Sequence, residues 1–352
     1  MNKCDVAILG SGPAGMAAAT TIAEYGMVPV VIDEQSVPGG QIYRAIEKTP
    51  LRDPAVLGND YWHGKSLVER LRQANIDYRP STEVWQLTRM RELGLLHEGQ
   101  AEMLKARYVI LATGALERPF PITGWTLPGV MTAGSGQILL KSSGVAPDGQ
   151  LVLAGTGPLL WLLAVQYIRA GVQIDAILET TPPKNLRRAL PQLAGALRDI
   201  STLTKGFGLL NELRRSKVRH IKDVSALRAE GETHLQRVVW KSHGSDDWET
   251  LDASTLLLHQ GIVPNTQITR ALDCAHYWDN IQLCWRPRID EWLQTDIEGI
   301  AVAGDGGGIV GAKAAETQGK LAALGALKAL GHGRGDHLNS EAQRLRRRLS
   351  HE

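Results

Sequence analysis

Three glycine turns and the acids that follow them carry the chemistry that this 352-residue sequence offers. Gly10-Ser11-Gly12-Pro13-Ala14-Gly15 comes directly after the apolar run Val6-Ala7-Ile8-Leu9. Glycines at this spacing, between a strand and a helix, bring backbone up to a pyrophosphate. Gly10 makes the tight turn, Gly12 permits the close approach, and Gly15 lets the next helix press against the strand. Pro13 and Ala14 open that helix, whose unpaired N–H groups and positive dipole end would face the phosphates. The Ala-rich run from Met16 to about Tyr25 continues it, and Gly26 ends it. A strand over Val28–Ile32 then delivers Asp33, the acid expected on the adenosine ribose hydroxyls, with Glu34 beside it able to share that role.

Further segments turn this reading toward a flavin. Pro38-Gly39-Gly40-Gln41 is a second loop suited to carrying backbone, with Gly40 and Gln41 at its tip, toward pyrophosphate or flavin. Val109-Ile110-Leu111-Ala112-Thr113-Gly114 is a strand that ends in small residues, where bulk would collide with the cofactor. Near the end, Gly299–Ala303 predicts a strand running into Gly304-Asp305 and then a helix from about Ala312 to Leu330. Asp305 there can accept hydrogen bonds from a ribityl chain, and the helix start can offset negative charge on a reduced flavin. Val84 completes the expected contacts of an FAD site in this first fold.

A second turn, Leu151-Val152-Leu153-Ala154-Gly155-Thr156-Gly157, is followed at the expected spacing by the acid Glu179. Leu160 takes the third glycine position, which would hold the helix farther from the strand. A carboxylate at Glu179 favours a free ribose hydroxyl, so NAD or another adenine nucleotide suits the site better than NADP. Two readings stay open: a working nicotinamide site, or a retained fold that packs well or holds a structural nucleotide without hydride transfer.

These motifs must be positioned by strands and helices in alternation. The sequence therefore predicts an α/β protein of two dinucleotide-binding, Rossmann-like domains, the second inserted in the first, as in two-domain FAD/NAD(P)-dependent oxidoreductases. Residues 1–118 and 262–335 would form the FAD domain, 119–261 the second nucleotide domain, and 336–352 a basic C-terminal tail with Arg344, Arg346, Arg347 and Arg348. Pro119, Pro121, Pro128 and Pro264 stiffen the two crossings. Between Lys184 and Lys222, Arg187, Arg188, Arg198, Lys205, Arg214, Arg215 and Arg219 alternate with leucines, as in an amphipathic helix with a solvated or subunit-contacting face.

Composition narrows the function classes. The formal charge of +2 gives no footprint for nucleic acid. No apolar run reaches the length of a membrane span, and strand-forming residues begin soon after Met1, so a cytoplasmic protein is expected. Cys4, Cys274 and Cys284 are too far apart for a Cys-x-x-Cys redox pair and too few for the four thiolates of an ordinary iron–sulfur cluster. No metal site is expected. His63, His220, His259 and His276 are isolated, and none completes an acid–base constellation. His259, on the return strand near the expected cofactor, is the best placed of them, for a hydrogen bond.

Several strings are more particular than the glycine turns. Gly39-Gly40-Gln41-Ile42-Tyr43-Arg44, Glu117-Arg118-Pro119, Pro128–Gly134, His259-Gln260-Gly261-Ile262-Val263-Pro264-Asn265-Thr266 and Cys284-Trp285-Arg286-Pro287 accompany the closing Gly304-Asp305. On these the chain, to about Leu330, resembles the nucleotide-binding subunits of bacterial heteromeric amine dehydrogenases: octopine and nopaline oxidase, hydrogen cyanide synthase and D-hydroxyproline dehydrogenase. The resemblance implies an FAD-binding alpha subunit that relays electrons from a catalytic flavoprotein beta subunit to an acceptor, the substrate being an amino or imino acid. Related subunits often continue into a cysteine-rich segment, so a small iron–sulfur subunit is expected as a further partner. The alternatives are a stand-alone NADH-dependent flavoprotein reductase and a non-catalytic nucleotide-binding scaffold.

Overall fold

The computed structural model describes residues 1–182 and 200–350, with side chains of 200–205 excepted. The chain divides into two compact units, one of Met1–Lys48, Asn59–Leu116 and Ile262–Glu352, the other of Thr49–Gly58 and Glu117–Gly261. The short segment Thr49–Gly58 thus joins the second unit, and the C-terminal residues belong to the first.

The first unit is built on a seven-stranded sheet. Asp77–Arg79, Val30–Ile32, Asn2–Leu9, Gln100–Leu111 and Ile300–Val302 run parallel in that order. Their alternation with helices Pro13–Glu24, Gly64–Gln73 and Ala312–Ala329 gives the doubly wound arrangement expected of βα units. The middle strands are buried on both faces where they pair, and their near-continuous aliphatic runs reflect it: Val6, Ala7, Ile8, Val109, Ile110, Ile300 and Ala301 are fully covered. The first half of Gln100–Leu111 also continues an antiparallel meander with Thr82–Leu87 and Glu92–His97. The glycine turns gave no sign of this meander. Within it Trp85 lies over Gly94, where a Cβ would come within 2.5 Å of the indole, and the pairing shifts register between Val84 and Gln86. Leu93 and Leu95 point from the same strand into the core.

The helix predicted from Met16 begins at Pro13 and ends at Glu24, with Gly26 at φ +83° just beyond it. It is sandwiched closely. On one side Gly15 abuts the Gly10 carbonyl, and on the other Gly319 of the 312–329 helix abuts the Ala14 carbonyl. Residues 336–352, read as a basic tail, mostly form the helix Gly335–Leu349, which buries Leu338 and Ala342 and accepts the Tyr25 hydroxyl on Glu341 at 2.8 Å.

The second unit carries a five-stranded parallel sheet in the order Arg219–Ile221, Ala176–Glu179, Leu151–Gly155, Thr255–His259, Val130–Thr132. A three-stranded antiparallel sheet, Val224–Glu230, Arg237–Ser242 and Glu249–Asp252, packs on it through Trp240, Val238 and Leu235 against Val152, Leu178 and Leu256. Ile200–Arg215 forms a helix in which Leu213 is buried while Arg214 and Arg215 are exposed. Lys184, Arg187, Arg188 and Arg198 lie outside the described residues. No helix among the described residues is long and apolar enough to cross a membrane.

Because a methyl group on Gly319 would meet the backbone of Ala14, the two helices must separate to admit it. Gly319→Ala is therefore expected to lower stability by about 1–3 kcal/mol, read as a lower urea midpoint at unchanged m value. An unchanged midpoint would contradict this packing.

Candidate functional site

The first glycine turn is fixed before any ligand arrives. Gly10 has φ +100° and its N–H donates to the Ile32 carbonyl at 2.8 Å. A side chain there would strike Ala112 O at 2.5 Å, so the turn, the second strand and the Ala112-Thr113-Gly114 strand end are packed backbone to backbone. Gly12 is the N-cap of the 13–24 helix with no side-chain cap, and Pro13 follows it. The first-turn N–H groups of a helix have no partners within it, and an uncapped start is suited to an anion.

Asp33 and Glu34 divide in a way the sequence did not foreshadow. Asp33 is buried and accepts from both the N–H and the hydroxyl of Ser11, at 2.6 and 2.5 Å, and from the Gln35 N–H at 2.7 Å. It fixes the glycine turn from beneath. Glu34 is exposed and bonded only to the Gln35 amide at 3.1 Å among these groups, so it is the acid free to reach outward. The Ser11 hydroxyl, inside the glycine motif, was the missed signal.

Gly39 N–H donates to Ser11 O at 2.9 Å, which lays the second loop over the first. Gly40, at φ +60°, sits so near Gly12 that a Cβ would be 2.9 Å from its Cα. The Gln41 side-chain oxygen accepts from Arg44 Nη2 at 2.9 Å, while the half-buried Arg44 leaves Nε without a partner close to Asp33 and Glu34. Tyr78, on the strand Asp77–Arg79, lies near Asp33, with its phenol pushed up to about 12 by burial. Val84 is partly buried and packs against the sheet core.

At the other end Gly304 rests 3.0 Å, measured from an added Cβ, from the Ala14 methyl, and its N–H donates to Gln318 Oε1 at 2.9 Å. Asp305 uses Oδ1 to accept from Val310 and Gly311 N–H at 2.9 and 3.1 Å, which shapes the loop into the uncapped start of the 312–329 helix. Thr113 donates to Asn265 O at 3.4 Å and Asn265 N–H to Gly114 O at 3.0 Å. Gly10, Gly12, Gly15, Gly40, Ala112, Gly304 and Asp305 thus converge on one edge of the sheet. Cβ groups would fill this cradle at several points, and a dinucleotide fits the backbone surface and orphaned Arg44 nitrogen that it offers.

The second turn is arranged differently. Gly155 abuts the His259 carbonyl, and Gly157, at φ +96°, starts the helix Pro158–Arg169 without a side-chain cap. Leu160 is fully buried, so the leucine in the third glycine position serves as core. Glu179 accepts from or shares a proton with His220 Nε2 at 2.9 Å, and this bond above all holds its carboxyl below the usual range. Thr156 and Thr181 hydroxyls meet at 2.6 Å, and Gln260 donates to Thr180 at 2.7 Å. The strand ends around this turn are laced together by their own side chains.

His259 ends a strand of this second sheet, and it is not isolated. Its Nδ1 lies 2.5 Å from Glu117 Oε1, while Glu117 Oε2 accepts the Gly134 N–H at 2.8 Å. Sequence reading missed the pair because its members are 142 residues apart. The three cysteines are free thiols. Burial pushes Cys4 up to about 11 and raises Cys274, so neither favours a thiolate.

The sequence profile of the pyridine nucleotide-disulphide oxidoreductases matches residues 4–319. The chain belongs to this family. An opine oxidase subunit of Agrobacterium tumefaciens (strain Ach5) is 41% identical over 92% of this chain and 65% of its own. The Rhizobium meliloti (strain 1021) protein of the same name is 38% identical over 94% and 72%. Hydrogen cyanide synthase subunit HcnB of Pseudomonas aeruginosa is 34% identical over 91% and 70%. The chain therefore spans about two thirds of the length of these relatives. Its fold matches L-proline dehydrogenase from P. horikoshii with a TM-score of 0.71 at 20% identity, covering 98% of this chain and 59% of that one. Thioredoxin reductase from T. acidophilum gives 0.68 at 18%, covering 93% and 99%.

Two outcomes follow. Asp33→Ala removes the acceptor of both Ser11 bonds, and FAD affinity is expected to fall about 10- to 100-fold, since a hydrogen bond to a charged group contributes about 1.5–3 kcal/mol; flavin titration of the stripped chain measures it. Glu179 has a lowered folded pKa, so its stabilisation is present above the unfolded value of about 4.3 and is lost as pH falls through the folded one. Glu179→Gln should flatten the acid limb of stability against pH, measured by urea unfolding from pH 6 downward.

Proposed function

We propose that the chain is the FAD-binding alpha subunit of a heteromeric flavin-dependent amine or imino-acid dehydrogenase, with an opine, D-hydroxyproline or a similar compound as substrate. In this reading it relays electrons from a catalytic flavoprotein beta subunit to an acceptor. The observation that carries it is the first cradle, preformed by backbone contacts, in a protein whose three cysteines are all buried or half-buried free thiols. Gly10, Gly12, Gly15 and the 13–24 helix start would hold the pyrophosphate, Glu34 the ribose, and Gly40, Gln41, Ala112, Thr113 and Gly114 the flavin side, with Asp305 near the ribityl chain. FAD in such a site supplies reversible uptake of electrons. The chain's own residues orient it, exclude bulk and keep its anionic end against helix starts.

Without a thiol pair, the disulphide chemistry in the family's name has no residues to perform it, which supports a different electron route. Glu179, already engaged by His220, supports a structural role for the second turn, with NAD or an adenine nucleotide as its occupant, over hydride supply. The relatives named above are called subunits, which supports a catalytic flavin on a partner polypeptide.

Stopped-flow absorbance separates the readings. In the assembled protein an amino or imino acid substrate should bleach this chain's flavin within turnover, whereas the isolated chain should respond neither to that substrate nor rapidly to NADH. Rapid bleaching of the isolated chain by NADH would make it a self-sufficient reductase, and a flavin silent throughout turnover would make it a scaffold.

A further inference from the structure

The stretch 304–311 carries five glycines in eight residues and leads from the strand Ile300–Val302 to the start of the 312–329 helix. Backbone of this composition has much freedom to lose on folding, so a fixed shape needs partners from outside it. Part of the shape is internal: Asp305 accepts from the Val310 and Gly311 N–H groups, and Gly308 N–H donates to Asp305 O at 3.2 Å. On one side the stretch rests on the 112–114 strand end, where a Cβ on Gly306 would come 3.4 Å from Thr113 Oγ1. On another it is held by a hairpin, His276–Asp279 with Cys284–Pro287.

Arg286, on the second strand of that hairpin, grips the middle of the stretch. Its Nε donates to Gly307 O at 2.9 Å, and its guanidinium covers Gly308, where a Cβ would fall on Cζ, Nε and Nη2. Gly308 also has φ +143°, so a side chain there would be strained as well as obstructed. Nη1 meanwhile donates to Asp279 Oδ2 at 2.7 Å. Asp279 is itself fixed by the N–H groups of Ile281 and Gln282, at 2.8 and 3.0 Å, so the guanidinium is braced against the hairpin turn. The Gln282 side chain adds two bonds to the Ile309 backbone, at 2.8 and 2.9 Å. A planar guanidinium can serve two acceptors at its edges while its face lies on backbone, which the single ammonium of a lysine cannot do.

We propose that Arg286 is a positioning residue of the dinucleotide site: braced on Asp279, it holds the 307–308 backbone and through it sets Asp305 and the start of the 312–329 helix in the form that binds. The proposal rests on reading the first cradle as the FAD site. Arg286 acts through the loop, and its effect comes from shape more than from charge, which Asp279 offsets. A loop left free must be ordered when the ligand arrives, and that ordering is subtracted from affinity. Gly307 and Gly308 are thereby explained: one offers its carbonyl to the guanidinium, and the other leaves room for it.

The test titrates FAD into the full chain stripped of its nucleotides, beside amide hydrogen exchange of the same stripped chain. Arg286→Met should weaken FAD binding at least tenfold and speed exchange over 304–311 at least tenfold, with exchange in the 13–24 helix unchanged. Arg286→Lys keeps the charge without the fork and should stay within threefold of the Met variant. Combined with Asp305→Ala, the loss from Arg286→Met should not multiply, because both changes act on one loop. Asp279→Asn leaves Arg286 in place with a weaker brace and should move both readouts the same way. Wild-type affinity in Arg286→Met, or in Asp279→Asn if the Met variant does not fold, would overturn the proposal. Wild-type affinity in Arg286→Lys would make charge the cause, and losses that multiply would make Arg286 independent of Asp305; either overturns it. A wild-type chain that takes up no FAD would overturn the reading of the cradle instead, while exchange over 304–311 would still test the grip of Arg286.

Discussion

The close approach of the 13–24 helix to its neighbours is the constraint on which the first unit depends. Gly15 lets it lie on the Gly10 carbonyl, Gly319 lets the 312–329 helix lie on the Ala14 carbonyl, and Gly304 meets the Ala14 methyl from the loop between. Three segments far apart in sequence are thereby held at backbone distance. The result is two helix starts at one sheet edge, neither of them capped by a side chain. Affinity at such a site comes from fixed N–H groups that need no reorganisation, so the packing of the helices and the binding of an anion are the same design.

The two glycine turns then diverge through polar groups. In the first, Asp33 is spent inward on Ser11, which stiffens the turn and leaves Glu34 exposed. In the second, Glu179 is bonded to His220, and the Thr156–Thr181 and Gln260–Thr180 bonds tie the strand ends to one another. A ligand at the second turn must compete with these bonds, each worth about 0.5–1.5 kcal/mol net. The Glu117–His259 pair adds a buried polar contact to the same sheet edge. One fold therefore keeps both turns while their polar groups are committed in different ways.

Local signals made the glycine turns, the helix after each, and the strand–turn–helix near Gly304 legible in the sequence, because each is set by residues within a few positions. The α/β architecture followed from their order. The meander over 82–111 was not legible: Gly94, which reads as a break, is a seat for Trp85 supplied by the opposing strand. The three-stranded sheet over 224–252 was likewise hidden, its core residue Trp240 gaining meaning only against Val152 and Leu178. At the site, Asp33 was found but its partner was not, and Glu179 was found without His220. Pairs such as Glu117 with His259 are created by the fold, and no spacing rule reaches across them.

The central claim is that the first cradle, and not the second, is the redox site of this chain. The most direct measurement is to purify the full chain, release its bound nucleotides by denaturation, and quantify each by mass and absorbance per polypeptide. The account predicts one FAD per chain, lost when Gly12→Leu places a side chain between the two glycine loops and retained when Gly157→Leu alters the second turn. A chain that holds no flavin, or whose flavin survives the change at Gly12 and leaves with the change at Gly157, would contradict it.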